Sequence, residues 1–187
     1  MDDPTPSAPA SQRAFSLIEL ITLVAVAAVL LGAGIPGFRQ LTASSAMTGA
    51  AGELMAHLQL ARSEAILRDL PVVVCPSPDG LHCDDTSPWN QGLMIFADRD
   101  GDRRRQPQDP LIRHHRPAGR DILISTSRWR RRLLFRPSGS ATGSAATFTL
   151  CHRDGTAAPR AVIVSNTGRP RIDRTRPDGG PLRCGRG

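Results

Sequence analysis

A single carboxylate, that of Glu19, lies near the start of a long apolar stretch. Between Phe15 and Ile35 the chain has 21 residues, of which only Ser16, Glu19 and Thr22 are clearly polar. As a helix this stretch would be about 32 Å long, enough to cross a hydrocarbon core of about 30 Å. Because an ionised carboxylate is costly in lipid, Glu19 is a candidate for a functional role. The alternative is a first-turn glutamate that is favoured by the helix dipole and reaches the membrane surface.

Arginines near the C-terminus form the second set with recognisable chemistry. Arg169 and Arg171 flank Pro170, which stiffens the backbone, and Gly168 permits a tight turn before them. Each guanidinium group could make a forked contact with a phosphate. The chain has a formal charge of +7, and all 24 of its basic residues are arginine. Composition alone therefore favours a solvated arginine tail, although an acidic polymer or a membrane surface would also be attracted to it.

All four cysteines follow the apolar stretch and fall into two pairs by position, Cys75 with Cys83 and Cys151 with Cys184. Four cysteines allow three disulfide connectivities, so this pairing is a hypothesis. Zinc binding is the alternative, since a histidine adjoins one cysteine of each pair, but the first spacing is unlike that of a zinc knuckle. Disulfides form in oxidising compartments, so we expect this part of the chain to lie in the periplasm.

The remaining polar residues do not form a recognisable catalytic or metal-binding motif. The alternating carboxylates of Asp98, Asp100 and Asp102 resemble a calcium loop, but adjacent arginines oppose cation binding, so a turn is expected. The pair His114-His115 has no acidic partner in the sequence. We find no nucleophile–base arrangement and no phosphate loop. We therefore expect a protein that is not an enzyme and has no cofactor and no metal site.

The elements that would position these residues follow from the hydrophobic periodicity. Apolar residues continue beyond 35 at helical spacing and predict an amphipathic continuation over 36–70, with one buried face formed by Met47, Ala51, Leu54, Leu58, Ala61 and Ala65. After Pro71 the pattern changes to short β-type runs over 71–187. The predicted strands are Val72–Cys75, Leu93–Phe96, Ile122–Ser125, Leu133–Phe135, Thr147–Cys151 and Ala161–Val164, with Arg171–Arg174 as a possible seventh. We therefore predict an α+β fold in which a long N-terminal helix packs on a C-terminal antiparallel β-domain.

The N-terminus resembles the type III signal of type IV pilins and type II secretion pseudopilins. The polar segment 1–14 precedes the apolar run, and Phe15–Leu20 matches the family motif. The resemblance implies that a prepilin peptidase removes the leader between Ala14 and Phe15 and methylates the new N-terminus. It also implies that Glu19 pairs with the N-terminal amine of a neighbouring pilin subunit. The family usually has glycine before the cut, so Ala14 is expected to slow processing; an ordinary signal anchor is the alternative.

This resemblance sets an expectation for location. The segment 15–35 would span the inner membrane once, in contact with its lipid. The domain would face the periplasm and would reach the pilus and the cell surface after assembly.

Within this family the closest resemblance is to the GspH/FimT group. Trp89–Phe96 resembles its W-x-x-G strand, Leu134–Gly139 its F-x-P-x-G turn, and Ala161–Arg171 its last strand and turn. The segment Gly168–Arg171 matches the G-R-x-R motif of FimT-type minor pilins, which is associated with DNA binding in natural transformation. The resemblance thus implies a DNA-binding surface at Gly168, Arg169, Arg171, Arg174 and Arg176.

Three alternatives remain open at this stage. The chain could be a GspH-like pseudopilin of a type II secretion system, or a structural subunit that primes pilus assembly and has no ligand. If it does bind DNA, the Arg128–Arg132 cluster is an alternative site.

Overall fold

The computed structural model describes residues 16–86, 89–116, 121–127 and 130–185, without the side chains of 31 and 33–36. These residues form one α-helix, α1 (Leu17–Arg68), a short 3-10 turn at Trp89–Gln91, and two antiparallel sheets of four strands each. The chain divides into two compact units between Arg39 and Gln40.

The first unit contains the N-terminal part of α1. The helix begins at Leu17, and the backbone carbonyl of Ser16 accepts hydrogen bonds from the N–H groups of Glu19 and Leu20. Apolar side chains such as those of Leu17 and Val29 are more than two-thirds exposed. Among the described residues, we find no helix that is both long enough and apolar enough to cross a membrane. The predicted span of 15–35 includes Phe15 and the side chains of 31 and 33–35, which lie outside that description.

The second unit contains the rest of α1, which supplies one wall of the hydrophobic core. All six residues of the predicted apolar face are buried, and Ala43 extends the same face by one further helical turn. The helix ends at Arg68, and Asp69 follows with a positive φ of 53° before the Leu70-Pro71 pair. The predicted packing of an N-terminal helix on an antiparallel β-domain is confirmed.

Three strands of the first sheet are buried on both of their faces, and its edge strand is partly exposed. The sheet consists of β1 (Val72–Pro76), β2 (Leu93–Ala97), β3 (Leu111–His115) and β5 (Leu133–Phe135), in the order β3-β2-β1-β5. Side chains alternate between the faces of a strand, so one set enters the main core with α1. The other set forms a second apolar cluster of Val73, Cys75, Met94, Phe96 and Leu134. Burial of both faces explains why β1 and β2 are continuous apolar runs.

The second sheet has one face in the core and one face open. It consists of β4 (Ile122–Ser125), β6 (Ala146–His152), β7 (Arg160–Val164) and β8 (Pro170–Asp173), in the order β4-β6-β7-β8. The core-facing side chains include those of Phe148, Leu150, Val162 and Val164. The threonines of β6 alternate with these residues and point to the other face.

Both predicted cysteine pairs form disulfide bonds, so the zinc alternative is wrong. Cys75 is bonded to Cys83, and Cys151 to Cys184, and no cysteine is free. The first bond ties the loop after β1 to the second apolar cluster, because Cys75 is fully buried there and Cys83 packs against it. The second bond joins the end of β6 to the C-terminal tail, which we define as residues 174–185.

Candidate functional site

An open groove lies on the uncovered face of the second sheet, between the sheet and the C-terminal tail. Its volume is about 780 Å³. In the sheet register Thr147 pairs with Ile163 and Ile163 pairs with Arg171, so these three side chains form a row across β6, β7 and β8. Hydroxyl groups line much of the floor and one end: Ser125, Thr126, Ser127, Thr147, Thr149 and Ser165.

Four arginines surround this groove, and we call it the basic groove. They are Arg130, Arg171, Arg176 and Arg183, and the only acidic residue among the described lining residues is Asp178. Their guanidinium groups come from three places: the loop after β4, the last strand, and the C-terminal tail. The net positive charge and the hydroxyl donors together suit an anionic ligand with several phosphates.

Two of these arginines have acidic neighbours that help to orient them. Arg176 Nη2 lies 2.8 Å from Asp178 Oδ2, and Arg171 Nε donates to Asp173 Oδ2 at 3.5 Å. The backbone N–H groups of Arg174 and Thr175 donate hydrogen bonds to Asp173 and lower the pKa of its carboxyl group. Both ion pairs are exposed to solvent, so each is weak and a phosphate can compete for the guanidinium group.

The C-terminal tail folds back on itself and is bonded to the domain by a disulfide. Thr175 and Pro181 form an isolated antiparallel bridge, and the N–H of Gly179 donates to the carbonyl of Arg176 across the intervening turn. The Cys151–Cys184 bond then fixes the far end of the tail to β6. The tail thus forms a wall of the basic groove that is tethered to the domain.

Gly168, the first residue of the predicted DNA-binding motif, has a packing role in the structure. It is buried with a φ of +76°, and a Cβ atom there would overlap the backbone carbonyl of Gly139. The two turns are also joined by a hydrogen bond from Ala141 N to Asn166 O. Gly139 in turn accepts a hydrogen bond from Arg62 Nε of α1 at 2.9 Å. The two family-like turns therefore pack on each other and on the helix.

The other predicted residues divide between the basic groove and the surface beside it. Arg171 and Arg176 line the groove, whereas Arg169 and Arg174 are exposed and are not among its lining residues. Arg130 also lines the groove, although it is far away in sequence from the G-R-x-R motif. In the sequence, only the arginine-rich run 128–132 indicated Arg130 as a candidate. The fold brings Arg130 close to Arg171 of the motif, since both line the groove.

A second cluster of polar side chains lies where α1 meets the edge strand β3. Glu53 and His57 of α1 and His115 of β3 offer candidate ligand atoms that all lie within 4.8 Å of one another. They line a cavity of about 210 Å³ together with Trp89, Asn90 and several aliphatic residues. Burial lowers the pKa of His57, and nearby His115 acts in the same direction, whereas Glu53 opposes it.

The sequence does not reveal this cluster, for a structural reason. His115 has no acidic residue near it along the chain, because Glu53 and His57 lie about sixty residues earlier. Strand β3 was itself not predicted, and only the packing of β3 beside α1 brings the three side chains together.

The loop that resembles a calcium site is a turn stabilised by its own carboxylates. Asp98 is buried and accepts hydrogen bonds from the backbone N–H groups of Gly101 and Arg103 at 3.0 and 3.1 Å. Burial raises the pKa of Asp98, although both hydrogen bonds act in the opposite direction. Asp102 likewise accepts from Arg104 N at 2.6 Å. These oxygens are occupied by the loop's own backbone.

Of the residues predicted for processing and assembly, Glu19 is among the described residues. Ala14 and Phe15 lie outside the described residues. Glu19 lies in the first turn of α1 and is exposed. The helix dipole favours an acidic residue at this position. This agrees with the alternative role of Glu19 as a first-turn glutamate.

Comparisons with known proteins identify the family and the fold. Residues 50–168 match the model of the family described as GspH, Type II transport protein GspH. The type IV minor pilin FimU of Pseudomonas aeruginosa PAO1 is similar in two crystal forms. One form has a TM-score of 0.55 at 23% identity, covering 71% of this chain and 92% of FimU. The other has a TM-score of 0.52 at 25% identity, covering 67% and 91%.

A more distant likeness is to the minor pseudopilin EpsH of the Vibrio cholerae Type 2 Secretion System. Its TM-score is 0.47 at 14% identity, covering 67% of this chain and 94% of EpsH. No curated protein sequence matches the chain significantly. Because the GspH model spans more than half of the chain, the protein belongs to the GspH family of type IV pilins and pseudopilins.

Proposed function

We propose that the protein is a minor type IV pilin of the FimT type, which enters pili and binds DNA without sequence specificity to support natural transformation. The observation that carries this proposal is the basic groove, where Arg130, Arg171, Arg176 and Arg183 meet beside a hydroxyl-rich floor. Phosphate contacts position nucleic acids without reading their sequence. The proposed role is one of binding and does not include catalysis.

The groove suits contacts to the sugar–phosphate backbone better than contacts to stacked bases. Tyrosine is absent, and of the two tryptophans Trp89 is buried against Phe148 at a centroid distance of 4.9 Å. The described groove lining contains no aromatic side chain on which a base could stack. The arginines therefore supply the affinity, and binding should depend strongly on salt.

The N-terminal part of the chain completes the proposal. A prepilin peptidase removes residues 1–14, and the apolar segment 15–35 then resides in inner-membrane lipid until the subunit is assembled. In the fibre, Glu19 neutralises the methylated N-terminal amine of a neighbouring subunit. The exposed apolar side chains of this part of α1 support the proposal, since such surfaces are normally covered by a partner or by lipid.

A GspH-like pseudopilin is the second candidate, and the description of the matched family favours it. Such a subunit would occupy the pseudopilus of a type II secretion system and contact other subunits. It has no evident need for four arginines around one groove. DNA binding by the basic groove therefore distinguishes the two candidates.

The test is DNA binding by the full chain in detergent micelles, measured by fluorescence anisotropy over a series of salt concentrations. If the four arginines each neutralise one phosphate, log affinity should fall with log salt at a slope of about −3.6 for duplex DNA. The double variant Arg171→Gln/Arg176→Gln should bind weakly, with a slope of about −1.8. Two labelled duplexes of equal length, one with a scrambled version of the other's sequence, should bind the protein with equal affinity.

Two further double variants locate the site. Arg99→Gln/Arg104→Gln removes the same charge from exposed side chains outside the groove and should leave the affinity nearly unchanged. Arg169→Gln/Arg174→Gln removes the two predicted arginines that do not line the groove and should have an intermediate effect. Equal losses in all three double variants would show attraction to net charge alone and would contradict the proposed site. A wild-type chain that does not bind DNA would favour the pseudopilin.

A further inference from the structure

The Glu53–His57–His115 cluster contains buried nitrogen atoms without hydrogen-bond partners. His57 Nε2 and His115 Nε2 are both inaccessible to solvent and lack a partner among the described residues, as does Asn90 Oδ1 in the same cavity. Leaving such atoms unsatisfied costs free energy, and most buried polar atoms in proteins are satisfied. Three orphaned atoms around one small cavity therefore indicate an absent partner.

Direct contact among the cluster's own side chains does not supply that partner. His115 Nε2 lies 3.2 Å from Glu53 Oε1, yet the pair lacks the alignment of a hydrogen bond. The rings of His57 and His115 lie 4.5 Å apart at an angle of 39°. The three groups converge on a shared space without bonding one another, as ligands of a common ion would.

We propose that Glu53, His57 and His115 bind a divalent transition-metal ion, with Zn²⁺ as the best match. Two imidazoles and one carboxylate are a donor set that Zn²⁺ commonly takes in proteins. With bonds of about 2.0–2.1 Å, ligand atoms around a tetrahedral Zn²⁺ are about 3.3 Å apart. The observed limit of 4.8 Å requires a modest closure. Glu53 is half exposed, so its side chain can supply most of that movement.

The position of the cluster gives the ion a structural role. Two ligands belong to α1, at residues 53 and 57, which face the same way because they are four apart on a helix. The third belongs to β3, the edge strand of the first sheet, which pairs only with β2 in that sheet. The ion would therefore tie the edge strand to the helix, and Asn90 Oδ1 lies in the same cavity as a further oxygen donor or as a partner of a bound water.

The experiment is isothermal titration calorimetry, in which ZnCl₂ is added to the tag-free full chain in detergent micelles. We expect saturable binding of one Zn²⁺ per chain and an increase in melting temperature with added Zn²⁺. Titration with Co²⁺ should produce visible absorption bands characteristic of a tetrahedral site. Failure of the wild-type chain to bind either ion saturably would overturn the proposal.

Matched variants separate this site from binding elsewhere on the surface. His57→Gln and His115→Gln should each reduce Zn²⁺ affinity by at least about tenfold, a loss seen even when only outer partners of a metal site are removed. Glu53→Gln keeps a similar shape at a half-exposed position, so it should fold normally and still bind more weakly. His82→Gln removes an exposed histidine outside the cluster and should bind like the wild type. Equal binding by all four variants would mean adventitious surface binding and would refute the site.

Discussion

Gly168, the first residue of the G-R-x-R segment, has a role in packing. Its φ of +76° is unfavourable for other residues, and a Cβ atom there would overlap the Gly139 carbonyl. Gly168→Ala should therefore lower the free energy of unfolding by more than the roughly 1 kcal/mol typical of a conformational penalty alone. Urea denaturation of wild type and variant measures this difference.

Gly155 provides the control for this comparison. Its φ of +67° is similar, but a Cβ atom there would meet no heavy atom within 4 Å. Gly155→Ala should thus cost about 1 kcal/mol or less, since it has the conformational penalty without the overlap. Equal losses in the two variants would contradict the close packing of the two turns.

Asp79 should make stability depend on pH in the acidic range. Hydrogen bonds from the backbone N–H groups of Leu81 and His82, at 2.8 and 3.2 Å, lower the pKa of Asp79 to about 2. The unfolded carboxyl has its ordinary pKa of 3.8, so the folded state prefers the ionised form. The stabilisation is fully present above about pH 4 and is lost as the pH falls through about 2.

The variant Asp79→Asn isolates this effect from other titrating groups. The difference in urea midpoint between wild type and variant should be constant from pH 5 to pH 7 and should shrink toward zero near pH 2. A difference that grows on acidification would show that the sign of the pKa shift is wrong.

At the residue scale, the sequence predicts best what depends on local spacing. The cysteine pairing and the buried face of α1 are both correct, because they follow from position and helical period. Arg130 was predicted only as part of the alternative cluster Arg128–Arg132, and His57 of the Glu53–His57–His115 cluster was missed, because the partners of both residues come from distant segments. Only tertiary packing brings those side chains together.

The Cys151–Cys184 bond makes the C-terminal tail a structural element, so its removal should affect both stability and the proposed DNA binding. It closes a loop with a sequence separation of 33, so Cys151→Ser/Cys184→Ser should lower the free energy of unfolding by about 2–4 kcal/mol. In this variant the tail should detach from β6, so that Arg176 and Arg183 move away from the basic groove. DNA affinity should therefore fall at a pH and salt where the wild type binds well.

The corresponding change at the other bond serves as the comparison. Cys75→Ser/Cys83→Ser also removes a disulfide, but its loop does not line the groove. It should reduce stability while leaving the DNA affinity of the folded protein close to that of the wild type. Peptide mapping without reduction checks both pairings first.

At the element scale, the strands whose sequences are clear apolar runs were predicted. Strand β3, whose sequence is not such a run, was missed. The first six predicted strands are present with small differences in their ends, and the possible seventh begins one residue earlier, at Pro170. Strand β3, Leu111–His115, begins with two apolar residues and continues with arginine and two histidines. As an edge strand it is only partly covered, so its sequence does not need the alternation that identifies other strands.

At the scale of the whole molecule, the proposed processing of the N-terminus can be tested directly. Cleavage after Ala14 should leave methylated Phe15 as the first residue of the mature chain. Intact-mass measurement on membrane-extracted protein reads the cut directly, and a product that begins at another residue would contradict it. Ala14→Gly should be processed faster, since the family usually has glycine at this position.

Assembly is a separate step and has its own variant. Glu19→Ala should be cleaved normally but enter pili poorly, because the N-terminal amine of the neighbouring subunit loses its counter-charge. Glu19→Asp is the matched control, since it keeps the charge on a shorter side chain. Normal incorporation of the alanine variant would show that Glu19 acts only as a first-turn glutamate.

The disulfide between Cys151 and Cys184 also bears on survival in the presence of proteases. It closes a covalent ring of chain that includes β7, β8 and most of the tail, in which Arg174 and Arg183 are exposed. A protease that cleaves after arginine would open this ring at one peptide bond without releasing a fragment. The nicked chain would gain the mass of one water and separate into two pieces only after reduction. The arginines that attract cleavage thus stay attached to the domain after a first cut.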